Sequence, residues 1–140
     1  MDSSFRLSEG GQINREKTLS FQFNGKKLSG FDGDTLASAL LANGIHLVGR
    51  SFKYHRPRGI FASGLEEPNA IVQLELGKRS LPNHQATQIK LYDGLMAFSV
   101  NCWPNPSIDV MAINNFFHRL IPAGFYYKTF MWPKGGWKFY

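Results

Sequence analysis

The densest chemistry in this chain lies between Arg50 and Arg58, which reads Arg-Ser-Phe-Lys-Tyr-His-Arg-Pro-Arg: four cations, no acid, and the rings of Phe52, Tyr54 and His55 set among them. Such a run suits an anion. Guanidinium and ammonium groups grip phosphate oxygens through charge-assisted hydrogen bonds, while aromatic faces stack on bases or on an isoalloxazine ring. A second reading stands beside this one: charge runs are usually surface decoration, and a basic loop also packs well on an acidic neighbouring domain. Under either reading Pro57 and Gly59 make it a shaped loop, since neither helical nor strand periodicity runs through it. Arg50, Lys53, His55, Arg56 and Arg58 are the candidate phosphate or partner contacts.

Elsewhere the reactive residue types are scattered. His46, His55, His84 and His118 fall in four separate segments, with no two at i, i+4 and no cysteine close by, which is not a metal-site spacing. Glu66-Glu67 precedes Pro68-Asn69. Adjacent carboxylates in a Pro-bounded loop rarely converge on one substrate, so the expectation is a loop ion pair with Arg56 or Arg58. Cys102, in Asn101-Cys102-Trp103-Pro104, has apolar company and no basic cluster, and reads as a buried structural thiol. As the one cysteine, it excludes an intrachain disulfide and any all-thiolate metal or iron–sulfur centre within the chain, so a cytoplasmic location is expected. No Gly-rich dinucleotide or phosphate loop and no Gly-x-Ser-x-Gly elbow is present. No catalytic residue and no metal ligand is therefore expected.

The elements that must position the basic loop are legible on either side of it. Thr18 to Phe23 alternates polar and apolar residues, the mark of a half-buried strand with Leu19, Phe21 and Phe23 inward. Asn24-Gly25 tolerates positive φ and predicts a tight hairpin into Lys26–Gly30. Asp34 then offers a cap to a helix carrying Leu36, Ala39 and Leu40 on one face, with Ala37 and Leu41 beside it, and Asn43-Gly44 ends that helix. After the loop, strands are expected at 70–76, 87–92 and 95–100, the last two joined by an Asp93-Gly94 hairpin. Five strands and one early helix imply a small mixed sheet with the helix packed across it. A second helix is expected over 107–120, placed by Pro106 and stopped by Pro122, with His118 near its end as a partner of the helix dipole. Residues 123–140 then carry eight aromatics, up to the last residue. That is the pattern of a chain cut from something larger or built to dock on it.

Composition agrees with one globular domain. The chain has 140 residues, of which 43% are hydrophobic and 19% charged, which argues against a disordered or fibrous chain. No window reaches the roughly 18 consecutive apolar residues of a membrane span, and no secretory leader is visible at the start. The net charge of +6 favours anionic partners without naming one.

Longer stretches carry a family likeness. Arg50 to Ile60, Glu66-Glu67-Pro68-Asn69-Ala70, Tyr92-Asp93-Gly94-Leu95, Asn101-Cys102-Trp103-Pro104 and Ala123 to Pro133 resemble the N-terminal region of heterotetrameric sarcosine oxidase alpha subunits, a likeness that runs from about Phe5 to the end of the chain. The resemblance implies an α+β fold: a ferredoxin-like β-grasp domain, its mixed sheet covered by one helix, followed by a second helix and an aromatic-rich connector. It implies an N-terminal arm at 1–16, the β-grasp domain at 17–101, and at 102–140 a connector towards a dinucleotide-binding domain. Cluster-bearing relatives of this domain, in amino-acid and opine dehydrogenases, are similar through a basic loop followed by Cys-x4-Cys-x2-Cys. The matching positions here are Ala62, Glu67 and Ala70. Neither alanine nor glutamate supplies a thiolate, so a ferredoxin fold without its cluster is expected, with no cofactor in this chain.

What the resemblance implies for function is a structural or docking part of a larger oxidoreductase, inactive alone. The family oxidises sarcosine to glycine with tetrahydrofolate as one-carbon acceptor and oxygen as electron acceptor, using FAD, FMN and NAD. None of its dinucleotide-binding or folate-binding motifs falls in these residues. The expected partners are the remainder of the alpha subunit and the other subunits, with no nucleic acid and no membrane. The alternative is a free-standing nucleic-acid- or phosphate-binding module using residues 50–58; the confinement of the excess charge to one loop, with Glu66-Glu67 close behind, weighs against it.

Overall fold

A computed structural model describes residues 5–116, with only the backbone at Asn114 and Asn115. Alternating residues place Leu19, Phe21 and Phe23 in the core from strand β1 (Asn14–Phe23), and Asn24 and Gly25, both at positive φ, turn the chain into β2 (Lys26–Asp32). Those dihedrals are the ones a two-residue hairpin requires if the turn is to follow the twist of its strands. Strand β1 starts four residues before the expected Thr18. The preceding arm is fastened: Arg6 makes a double hydrogen bond to Asp34 at 2.7 and 3.1 Å and lies over the Phe31 ring.

Helix α1 (Leu36–Ala42) buries Leu36, Ala37, Ala39, Leu40 and Ala42 against the sheet and leaves Leu41 at the surface. Its cap is Thr35 rather than the expected Asp34. Thr35 accepts the Ser38 N–H while Ser38 accepts the Thr35 N–H, a reciprocal capping box. Asp34 is instead spent on tying the helix start to the arm and to Phe31. Asn43 caps the other end, and Gly44 takes the left-handed conformation at φ 73°. The helix sits close to β2 because Gly30 has no side chain: a Cβ there would meet Leu91 Cδ2 at 2.5 Å and Ala39 Cβ at 3.1 Å.

The sheet has five strands in the order β2-β1-β7-β5-β6, with β5 at Ile71–Leu76, β6 at Arg79–Gln85 and β7 at Leu95–Ser99. It is mixed, since β7 runs parallel to β1 and antiparallel to β5. This is the ferredoxin-like α+β arrangement the resemblance implies. Its membership differs from expectation in one strand. Residues 87–92 form no strand: a 3-10 turn covers Ala86–Gln88, and the chain then binds the start of α1, through Leu36 N–H to Ile89 O and Leu91 N–H to Asp34 O. The alternation of Ile89 and Leu91 does reflect burial, but their partner is the helix rather than a sheet neighbour. The Asp93-Gly94 turn likewise closes no hairpin. Asp93 Oδ1 accepts the backbone N–H and hydroxyl of Ser20, and Gly94 N–H bonds Ser20 O, which starts β7 alongside β1.

The fifth strand is β6, at the sheet edge, where Pro82 lies in a bulge opposite β5 and Asn83 stands at φ 60°. An edge tolerates the missing proline N–H, because no second neighbour asks for it. Within the expected second helix, residues 107–109 belong to a turn on Asn105 Oδ1, and a 3-10 helix covers Val110–Asn115. His118 and the aromatics of 123–140 lie outside the described residues. No helix among the described residues is long and apolar enough to cross a membrane.

Candidate functional site

The basic loop is more regular than its sequence suggests. Two-residue strands β3 (Gly49–Arg50) and β4 (Pro57–Arg58) pair antiparallel, and the turn between them is closed by Ser51: its N–H bonds Arg56 O, its carbonyl accepts the His55 N–H, and its hydroxyl accepts the Arg56 N–H, each at 3.0 Å. His55 stands at φ 49°. Behind the ribbon, Gly59 passes so close to the 45–48 segment that a Cβ there would meet His46 O at 2.6 Å.

The five candidate residues divide into an inner and an outer set. His55 is buried, its Nδ1 2.7 Å from Asp109 Oδ2; a carboxylate can only accept, so the proton sits on Nδ1. Arg50 donates to Pro106 O and His55 O, both at 2.7 Å, and lies 3.7 Å from Asp109. Arg58 donates to Asn69 Oδ1. Lys53 and Arg56 both lie over the ring of Tyr54, at 4.9 and 4.8 Å, and Arg56 is exposed. The ribbon is thus clamped to residues 103–111 by Asp109, whose Oδ1 also accepts the Trp103 and Met111 N–H groups. Burial would raise the Asp109 carboxyl, but the Trp103 N–H, His55 and the Met111 N–H hold it below its ordinary value. Asp109 is the residue sequence reasoning missed, as a lone acid carries no spacing signal.

Beside the ribbon is a pocket of about 260 Å³ lined by Arg50, Ser51, Arg58, Asn69, Asn83 and Asn101 among others, none of them a carboxylate. Two guanidiniums and three amides give it the donor character of an anion site. Among the described residues, no three or more His, Cys, Asp and Glu side chains are placed to hold a metal ion.

The neighbouring loop, 61–70, is organised by one side chain. Glu67 is 1% exposed and bonds no cation in the described structure. Its Oε2 accepts the N–H groups of Phe61, at 2.7 Å, and Ala62; its Oε1 accepts those of Asn69 and Ala70, at 2.8 and 3.0 Å. Burial alone would push this carboxyl up, yet the four backbone donors outweigh it and keep it below the usual range. The ion pair expected between Glu66-Glu67 and Arg56 or Arg58 is therefore corrected: Glu67 is held by backbone dipoles, and Glu66 accepts the Gly64 N–H. Thr87 and Gln85 brace the loop from outside, the first bonding Gly64 O and the second Leu65 O and Glu67 O.

The residues present do not fit an iron–sulfur cluster. The three positions equated above with cysteines carry two methyl groups and a carboxylate whose oxygens are already engaged. Cys102 is partly buried and bonds Ser99 Oγ at 3.3 Å; burial pushes its thiol up, away from the thiolate that iron requires.

Known proteins bear on this geometry in three ways. Sarcosine oxidase subunit alpha of Rhizobium meliloti (strain 1021) is 54% identical over 136 residues, 97% of this chain and 14% of that protein. Sarcosine oxidase subunit alpha of Corynebacterium sp. (strain U-96) is 45% identical over 94 residues, 63% of this chain and 9% of that protein. The chain therefore spans 14% or less of the length of these curated relatives. Among solved structures, the L-proline dehydrogenase from P. horikoshii superposes with a TM-score of 0.50 at 28% identity, covering 66% of this chain and 17% of that one. The family model described as the 2Fe-2S iron-sulfur cluster binding domain matches residues 16–101. With more than half its length in that match, the chain belongs to the 2Fe-2S iron-sulfur cluster binding domain family.

Proposed function

We propose that this chain is the N-terminal β-grasp part of a sarcosine oxidase alpha subunit and serves assembly rather than electron transfer. In this reading residues 1–16 are the arm, 17–101 the domain, and 102–140 the connector towards a dinucleotide-binding domain. The complex, not this chain, binds FAD, FMN, NAD and tetrahydrofolate and oxidises sarcosine to glycine. One observation carries the reading: the loop that the resemblance equates with the cluster loop of cluster-bearing relatives is filled by a satisfied carboxylate. A domain with no redox centre contributes surfaces.

The basic ribbon is the contact. Lys53 and Arg56 present the outer charge beside Tyr54, and Arg50 and Arg58 line the donor-rich pocket, so the ribbon suits an acidic face of the other subunits. Among the described residues Phe52, Phe61 and Leu65 stay exposed on the same two loops and would add apolar area there.

The test is co-expression of the whole complex with Lys53→Glu and Arg56→Glu together. Arg56 is exposed and Lys53 half-buried, and both lie over the Tyr54 ring at the outer side of the ribbon, so the fold should survive, as far-ultraviolet circular dichroism can show. Subunit association is expected to weaken at least about tenfold, because like charges across an interface cost several kcal/mol. Reversal of Lys26 and Lys27 at the β1–β2 turn provides a charge-matched control. A fully assembled complex with normal flavin content would refute the docking role. A phosphate-binding module is the second reading, favoured by the pocket, and it requires affinity for inorganic polyphosphate that falls steeply with salt.

A further inference from the structure

We infer that the 61–70 loop is an anion cradle whose resident anion is the chain's own Glu67 carboxylate, and that removing this side chain opens a site for a small exogenous carboxylate. The donors come from two separate stretches, Phe61-Ala62 and Asn69-Ala70, and converge on one buried group. Short sequences of backbone N–H groups pointing into one concavity bind anions in many unrelated loops. Here the negative charge has no cationic partner in the described structure, so these dipoles are what make its burial tolerable.

One side of the cradle has anchors besides Glu67. Arg58 fixes Asn69, Thr87 fixes Gly64, and Ala86 N–H bonds Ala70 O at 2.8 Å. Asn69 and Ala70 therefore keep their place when the carboxylate is taken away, while the N–H groups of Phe61 and Ala62, which Glu67 gathers, close again on an anion that replaces it. The family is described by a bound iron–sulfur cluster, and the resting form of this loop is closed by a covalently attached anion instead, which rests on the reading of 61–70 as the cluster-loop equivalent. Its fold is then independent of iron supply and of redox state.

The experiment uses the 140-residue chain and formate as the probe, with amide hydrogen exchange as the readout. In Glu67→Ala the amides of Phe61, Ala62, Asn69 and Ala70 are expected to lose at least about tenfold in protection, the effect of removing a charged acceptor from each. Formate should restore that protection saturably and shift the same four amide resonances, while leaving them unchanged in the wild type. The wild type retains the Arg50–Arg58 pocket, so formate bound there cannot mimic the result. Glu67→Gln keeps the shape but offers one acceptor oxygen, and it is the readout if the alanine variant does not fold. Two of the four amides should then lose protection and two keep it. Unchanged protection in either variant, or a loss in Glu67→Ala that formate does not reverse, would overturn the proposal.

Discussion

Three buried carboxylates, Asp34, Glu67 and Asp109, hold the connections that the secondary structure does not make. Each would be pushed up by burial, and each is held below its ordinary value: Asp34 by Arg6, the Phe31 N–H and Ser38, Glu67 by its four amides, Asp109 by the Trp103 N–H, His55 and the Met111 N–H. A group with a lowered folded-state pKa binds more protons once unfolded. Its contribution is complete above the ordinary values of 3.8 and 4.5 and is lost as pH falls through the lowered ones. Glu67→Gln should therefore lower stability at pH 7 by about 1–3 kcal/mol, and urea melts should show that gap narrowing in acid as wild-type Glu67 takes up its proton. A gap independent of pH would contradict the role given to the charge. His55→Ala leaves Asp109 short of one donor and should cost about 1–3 kcal/mol, measured the same way. These roles were only faintly legible from residue type. Asp34 announces a helix start but lies one position before the cap, because its carboxylate is drawn to Arg6, 28 residues away in sequence. Asp109 has no local signal, as its partners lie in the ribbon and in its own turn.

At the scale of elements, local chemistry was readable wherever neighbours in sequence are neighbours in space. The Asn24-Gly25 turn, the inward face of β1 and the apolar stripe of α1 all follow from spacing within a few residues. Thr35→Ala removes one half of the capping box and should cost about 1 kcal/mol in a thermal or urea melt. Phe21→Ala, in the centre of the core, should cost about 3–5 kcal/mol. Equal costs for the two would mean that β1 does not face the core as described. What the sequence hid were pairings decided at long range. Ile89 and Leu91 alternate as strand residues do, but the start of α1 takes their backbone groups; β6 carries a proline and few apolar residues, yet pairs because it is an edge. The ribbon at 49–58 is too short for any periodicity, and its order comes from Ser51, His55 and Asp109.

At the scale of the molecule, the sheet and helix form a ferredoxin-like frame, and the 61–70 loop is closed on the chain's own Glu67 carboxylate where the proposed reading expects no cluster. The frame then positions surfaces: a cationic ribbon, a donor-lined pocket and exposed rings on the adjoining loops. Iron content is the direct test of that reading. The protein, produced in iron-replete cells and purified without oxygen, should be colourless, contain no iron in stoichiometric amount, and give no paramagnetic resonance signal on reduction. Stoichiometric iron with a visible absorption band and a reduced-state signal would contradict it.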